Sequence, residues 1–73
     1  MPRAPTIYRI LGGSIRRQRK KARLSQEKLA ERADLTLNYI GQVERAEKKI
    51  TLETLGKIAK ALNVRVRDLI RDV

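Results

Sequence analysis

A chain of 73 residues makes one small domain with a marginal core, because a chain of that size buries only about 60% of the surface its unfolded form exposes. It has no cysteine and no histidine, which excludes disulfides, thiolate and imidazole metal sites and the commonest nucleophile–base pairs. Its net charge of +10, from 18 basic and 8 acidic residues, points to polyphosphate or an anionic membrane as the natural partner.

Residues 1–6 carry two prolines and no pattern. They read as a flexible N-terminal arm, with Arg3 a candidate to probe a minor groove and a plain disordered tail as the alternative. The arm lacks the apolar segment of a secretory signal, and no run approaches the ~20 apolar residues of a membrane span. The expected location is cytoplasmic. Ile7, Leu11, Ile15, Gln18/Arg19 and Ala22 then repeat at helical spacing and predict a first helix over residues 7–21. Gly12-Gly13 weakens its first half, since glycine costs about 1 kcal/mol against alanine in a helix interior, so fraying or a bend is expected there. Gly12-Gly13-Ser14 is no phosphate-binding loop, because the lysine spacing is missing and no strand precedes it. Arg16, Arg17, Arg19, Lys20, Lys21 and Arg23 crowd one short stretch, and no acid precedes Glu27.

Residues 25–45 carry the most information. Their apolar residues fall at Leu29, Ala33, Leu35, Ile40 and Val43, with a small residue at Ala30. A lone amphipathic helix keeps one phase; this pattern loses phase at Asp34-Leu35-Thr36 and restarts. Two short helices joined by a tight turn fit it, and that pair is the unit that lays a helix in the DNA major groove. Ser25 is a good N-cap for the second helix, with Glu27 in its favourable first turn. The helix ends near Ala33, and Asp34 takes the left-handed position, which aspartate visits more readily than most residues. Thr36 caps a third helix over residues 37–45, and residues 46–49 form a polar loop. Thr51 caps a fourth helix over residues 52–62, with Leu55, Ile58, Ala59 and Leu62 facing inward and Asn63 as its stop. A short fifth helix over residues 66–72 should bury Leu69 and Ile70. Nothing reads as a strand, so the fold class is all-α with an aliphatic core.

Taken together, Leu24-Ser25-Gln26, Leu29-Ala30, Ala33, Leu35-Thr36, Tyr39-Ile40, Val43-Glu44-Arg45, Leu52-Glu53-Thr54-Leu55, Ile58-Ala59 and Ala61-Leu62-Asn63-Val64 resemble the Cro and phage-repressor family of helix-turn-helix proteins, the xenobiotic response element type. The resemblance spans residues 8–70. It implies a compact five-helix lambda-repressor-like DNA-binding domain over residues 7–73, its helix-turn-helix formed by helices two and three. The small size is similar to the controller proteins of restriction–modification systems, and equally to short prophage repressors. Three positions depart from the family pattern: Asp34 and Ala46 stand where glycine is usual, and Arg65 where serine or threonine often caps the last helix.

The resemblance implies that helix three docks in the major groove. With Ile40 and Val43 turned inward, Leu37, Asn38, Gly41, Gln42 and Arg45 share the outward face. Asn38 and Gln42 suit the N6/N7 edge of adenine, and Leu37 a thymine methyl. Gly41 would let the helix sit close to DNA, and Arg45 completes the base-contact set. Phosphates would be met by the free N–H groups at the start of helix two together with Gln26, by the Tyr39 hydroxyl, and by Lys48 and Lys49. Arg17 and Lys21 would add long-range attraction. The plainer alternative is a solvated helix face. Arg19 and Glu44 match a partly buried ion pair of the family. A homodimer surface is expected at Val64, Val66, Leu69, Ile70 and Val73; the alternative is that these residues cap the monomer core. The implied function is sequence-specific transcription regulation on double-stranded DNA, as a repressor or autoregulating controller that reads an inverted repeat as a dimer. No enzyme activity, cofactor, metal, small-molecule ligand or membrane role is expected. The rival readings are an antitoxin-type protein-interaction module that also binds DNA, and a non-specific nucleic-acid coater. Membrane-surface binding by helix one lacks the wide apolar face and aromatic anchors it would need.

Overall fold

Short polar residues mark where the helices start in the computed structural model, which describes residues 6–73. It comprises α1 (Thr6–Lys21), α2 (Gln26–Ala33), α3 (Leu37–Glu44), α4 (Leu52–Leu62) and α5 (Val66–Ile70). No strand occurs among the described residues. The Ser25 hydroxyl accepts the Lys28 N–H, that of Thr36 the Tyr39 N–H, and that of Thr51 the Thr54 N–H. Each satisfies a donor that the first helical turn would otherwise leave free. At α5 the job passes to a carboxylate. Asp68 accepts the Arg65 N–H at 2.9 Å, and that bond holds its carboxyl below the usual range. Arg3 and the rest of residues 1–5 lie outside the described structure, while Thr6, assigned to the arm from sequence, already belongs to α1.

The first four helices stop in one way, and without glycine. Arg23, Asp34, Ala46 and Asn63 all have positive φ, between 57° and 61°. After each, the chain folds back so that the next residue's N–H bonds a carbonyl in the last turn: Leu24 to Arg19, Leu35 to Ala30, Glu47 to Gln42 and Val64 to Ala59. In three of the four that next residue is aliphatic and packs on the core, the usual apolar companion of a left-handed stop. Ala46, like Arg23, lacks the short polar side chain that eases Asn and Asp into this region, and a left-handed residue with a Cβ costs about 1–2 kcal/mol. Glycine removes that cost but gains ~0.4–1 kcal/mol of unfolded-state entropy. Ala46→Gly is therefore expected to raise the melting temperature by a few degrees; a lower value in a thermal melt would contradict this account.

Ile15, Leu29, Ile40, Ile58 and Leu69 are the largest fully buried side chains. Each comes from a different helix, so every helix is tied to one aliphatic centre. Around them pack Leu11, Ala30, Ala33, Val43, Leu55, Ala59 and Leu62. α2 lies against α3 and α4, and α1 spans α3, α4 and α5.

Three expectations change. α1 is one unbroken helix through Gly12-Gly13, because Gly12 sits under the end of α3. A Cβ on Gly12 would lie 2.5 Å from the Val43 carbonyl oxygen and 2.8 Å from that of Glu44. The residue expected to loosen the helix is the one that lets it dock. The stripe on α1 is also shorter than its spacing implied: Ile7 is exposed, and Ala22 is exposed beyond the last turn. Finally, α5 ends at Ile70, which is 42% exposed. Leu69 alone fills the core there, and the next residue points about 100° away around the helix.

Candidate nucleic-acid interface

α3 is held on its inner side by Ile40 and Val43, both buried. On its outer side Leu37 is 49% exposed, Asn38 and Arg45 are exposed, and Gln42 is half-buried. The 3.6-residue turn puts these four on one stripe. They combine an apolar contact, two carboxamides that each donate and accept, and a planar guanidinium. Gly41 does not share that face openly. It is buried, and a Cβ there would lie 3.0 Å from Nη1 of Arg45. The space that was expected to admit DNA is occupied by the arginine one turn on.

The start of α2 sits beside the end of α3 through a polar network. Glu44 accepts Nε of Arg19 at 2.6 Å and Nη2 of Arg19 at 3.1 Å. The third guanidinium nitrogen, Nη1, donates to the Leu24 carbonyl at 2.8 Å. Gln26, the first residue of α2, donates its Nε2 to Glu44 at 3.1 Å. The Arg19 and Glu44 side chains are only 11% and 3% exposed. α1 and α2 therefore converge on one carboxylate of α3, and the first turn of α2 is locked to the last turn of α3. One amide hydrogen of Gln26 is committed to Glu44; the carboxamide has a second. Sequence spacing alone did not reveal that Gln26 joins this pair.

Tyr39 is half-buried, its ring packed on the core. Lys48 and Lys49 are exposed in the loop after α3. Lys21 is exposed at the end of α1, and Arg17 bonds Asp72 at 3.5 Å across to the C-terminal turn. Glu47 had no assigned role in the sequence, yet its carboxylate accepts Nε of Arg45 at 2.8 Å and Nη2 at 3.2 Å. That bond holds the Glu47 carboxyl below its ordinary value and raises that of Arg45. Side chains two apart do not face each other on a helix. The left-handed turn at Ala46 is what brings this pair together.

At the C-terminal end, Val64 and Val66 are half-buried against the core, while Ile70 and Val73 are exposed. Leu69 is fully buried, so it supports this surface from beneath rather than lining it, a correction to its expected place in a dimer face. No helix among the described residues is long and apolar enough to cross a membrane.

The chain matches a helix-turn-helix family profile over residues 15–69. It is similar to the control protein C.SmaI of Serratia marcescens, 48% identical over 64 residues that span 88% of this chain and 76% of that protein. It is 40% identical to the control protein C.BamHI of Bacillus amyloliquefaciens over 65 residues, 88% of this chain and 80% of that one. The crystal structure of the restriction-modification controller protein C.AhdI from Aeromonas hydrophila matches with a TM-score of 0.87 at 34% identity, covering 89% of this chain and 98% of that one.

Proposed function

Because the chain belongs to the helix-turn-helix family, we propose that it is a sequence-specific, double-stranded-DNA-binding transcription regulator, a repressor or autoregulating controller. The observation that carries this reading is the outward stripe of Leu37, Asn38, Gln42 and Arg45 on a helix locked from behind at Glu44. A helix held that rigidly presents its side chains to base edges at little ordering cost. The net charge of +10 supplies long-range attraction to the duplex. Gln26, Tyr39, Lys48 and Lys49 are assigned to phosphates, and the first N–H groups of α2 to the same seat as Gln26.

One such module buries roughly 600–1,000 Å² of its surface on DNA, at the low end for tight binding. A two-fold dimer on an inverted repeat solves this, with half-sites one helical turn, ~34 Å, apart. Ile70 and Val73, flanked by Val64 and Val66, are the apolar surface assigned to the dimer. Ile70→Asp places a charge on a residue already 42% exposed, so the fold should survive. Sedimentation of the variant is expected to give a monomer; an unchanged dimer would move the interface elsewhere.

Selection of bound duplexes from a random pool tests the function directly. Enrichment of an inverted repeat is the expected result, and an unenriched pool would leave only charge-driven coating. On the selected duplex, Gln42→Ala is expected to cost about 2 kcal/mol, roughly 30-fold in affinity, at one base position. Equal loss on every sequence would mean that Gln42 reads no base.

A further inference from the structure

We propose that Glu47 is a positioning residue for base recognition: it clamps the Nε/Nη2 edge of the Arg45 guanidinium across Gly41 so that the end edge faces a guanine. The proposal rests on the DNA-binding reading above and adds the residue that orients its arginine.

An exposed arginine near a helix end ordinarily samples many rotamers, and each restraint on it lowers the entropy lost on binding. Arg45 has three restraints. Its floor is Gly41, one turn back, where an added Cβ would lie 3.0 Å from Nη1 and 3.6 Å from Cζ and Nη2. Its side wall is Glu47, whose two oxygens take Nε and Nη2. The third is the backbone at Ala46, whose φ of 60° turns the chain back and sets where the wall stands.

A guanidinium has five N–H donors in a planar fork. Glu47 uses the Nε–H and one Nη2–H. The end edge, made of one Nη1–H and the remaining Nη2–H, is not used by Glu47. Two parallel donors of that kind match O6 and N7 of guanine in the major groove. Arg45 also continues the outward row of Asn38 and Gln42, so the same helix face that presents carboxamides to adenine extends to a guanine reader. A carboxylate beside Lys48 and Lys49 weakens attraction to a polyanion. Its geometry with Arg45 is what sets it apart from a plain surface charge. The end edge also fits a pair of phosphate oxygens, and the test separates the two.

The experiment uses the full chain, the duplex selected from the random pool, that duplex changed one base pair at a time through a half-site, and a random duplex. Glu47→Gln removes the charge while keeping the size of the side chain, and Glu47 is exposed, so folding is not at stake. Two opposite changes are expected. Affinity for the random duplex rises, because an acid is gone. Discrimination at a single G·C position falls roughly 3–10-fold, the effect of releasing one ordered side chain. Gly41→Ala should reproduce that same position-specific loss by displacing the guanidinium. If Glu47→Gln raises binding to all duplexes equally, with every ratio unchanged, Glu47 is solvated charge and the proposal fails. If Arg45→Lys weakens all sequences alike, Arg45 holds a phosphate and the guanine assignment is overturned. If the unaltered chain shows no preference among the duplexes, the DNA-reading function itself falls, an outcome distinct from the other two.

Discussion

Glu44→Ala is expected to destabilise the domain by about 3–5 kcal/mol, the cost of stranding a buried charge by removing its partner. The substitution deletes the acceptor of three hydrogen bonds, two from Arg19 and one from Gln26. Arg19 is left with a side chain only 11% exposed and the Leu24 carbonyl as its remaining partner. A domain of this size has roughly 4–11 kcal/mol of stability in all, so the loss is a large share of the total. It should appear as a fall of more than about 12 °C in melting temperature. The mirror change, Arg19→Met, should do comparable damage, because it leaves a buried carboxylate facing only Gln26. Replacing both with apolar residues should cost less than either alone, since a buried pair contributes little beyond its own desolvation. Additive losses would contradict a coupled pair, and an unchanged melt would refute it. DNA binding should weaken through the fraction folded and through Gln26, which loses its anchor.

The second large effect separates adjacent residues. Gly12→Ala should destabilise by about 3 kcal/mol, the upper end of ordinary overpacking, because both oxygens in its way belong to the backbone of α3. A side chain could swing aside; a helix end cannot without moving α3. Gly13→Ala should do the reverse. Nothing lies within 4 Å of a Cβ placed there, so the variant keeps only the helical preference of alanine, about 1 kcal/mol. Chemical denaturation of the two single variants gives both values. If both were stabilised, α1 would not rest on the end of α3. Gly12 and Arg19 lie two turns apart on the same face of α1, so the helix touches α3 at both points. Pushing it away at Gly12 also strains the ion pair.

How much of this was legible beforehand depends on the distance over which each feature is decided. The capping hydroxyls of Ser25, Thr36 and Thr51 act on N–H groups three residues away, and they were readable where they stand. So was the left-handed turn at Asp34, since the phase of the apolar pattern breaks there. The inward face of α4 followed from period alone. Arg23 does not announce a left-handed stop in the sequence, because arginine has no propensity that signals one; only its φ and the bond from Leu24 back to Arg19 reveal it. The short fifth helix has two apolar neighbours, Leu69 and Ile70, and helical spacing cannot say which of them meets the core.

The capped starts of α2, α3 and α4, the inward face of α4, an all-α fold and the basic character of the domain are thus determined by the sequence itself, because each arises from residues within about one turn of one another or from composition. The tertiary structure alone decided that Gly12 is a docking point, that Gln26 shares the carboxylate of Glu44, and that Arg45 lies across Gly41 in the grip of Glu47. Those contacts join residues from different helices or across a chain reversal. Whether the helix contacts form is set by the ångström-scale approach of packed backbones, and the Arg45–Glu47 pair by a left-handed turn at an alanine, neither of which helical spacing encodes.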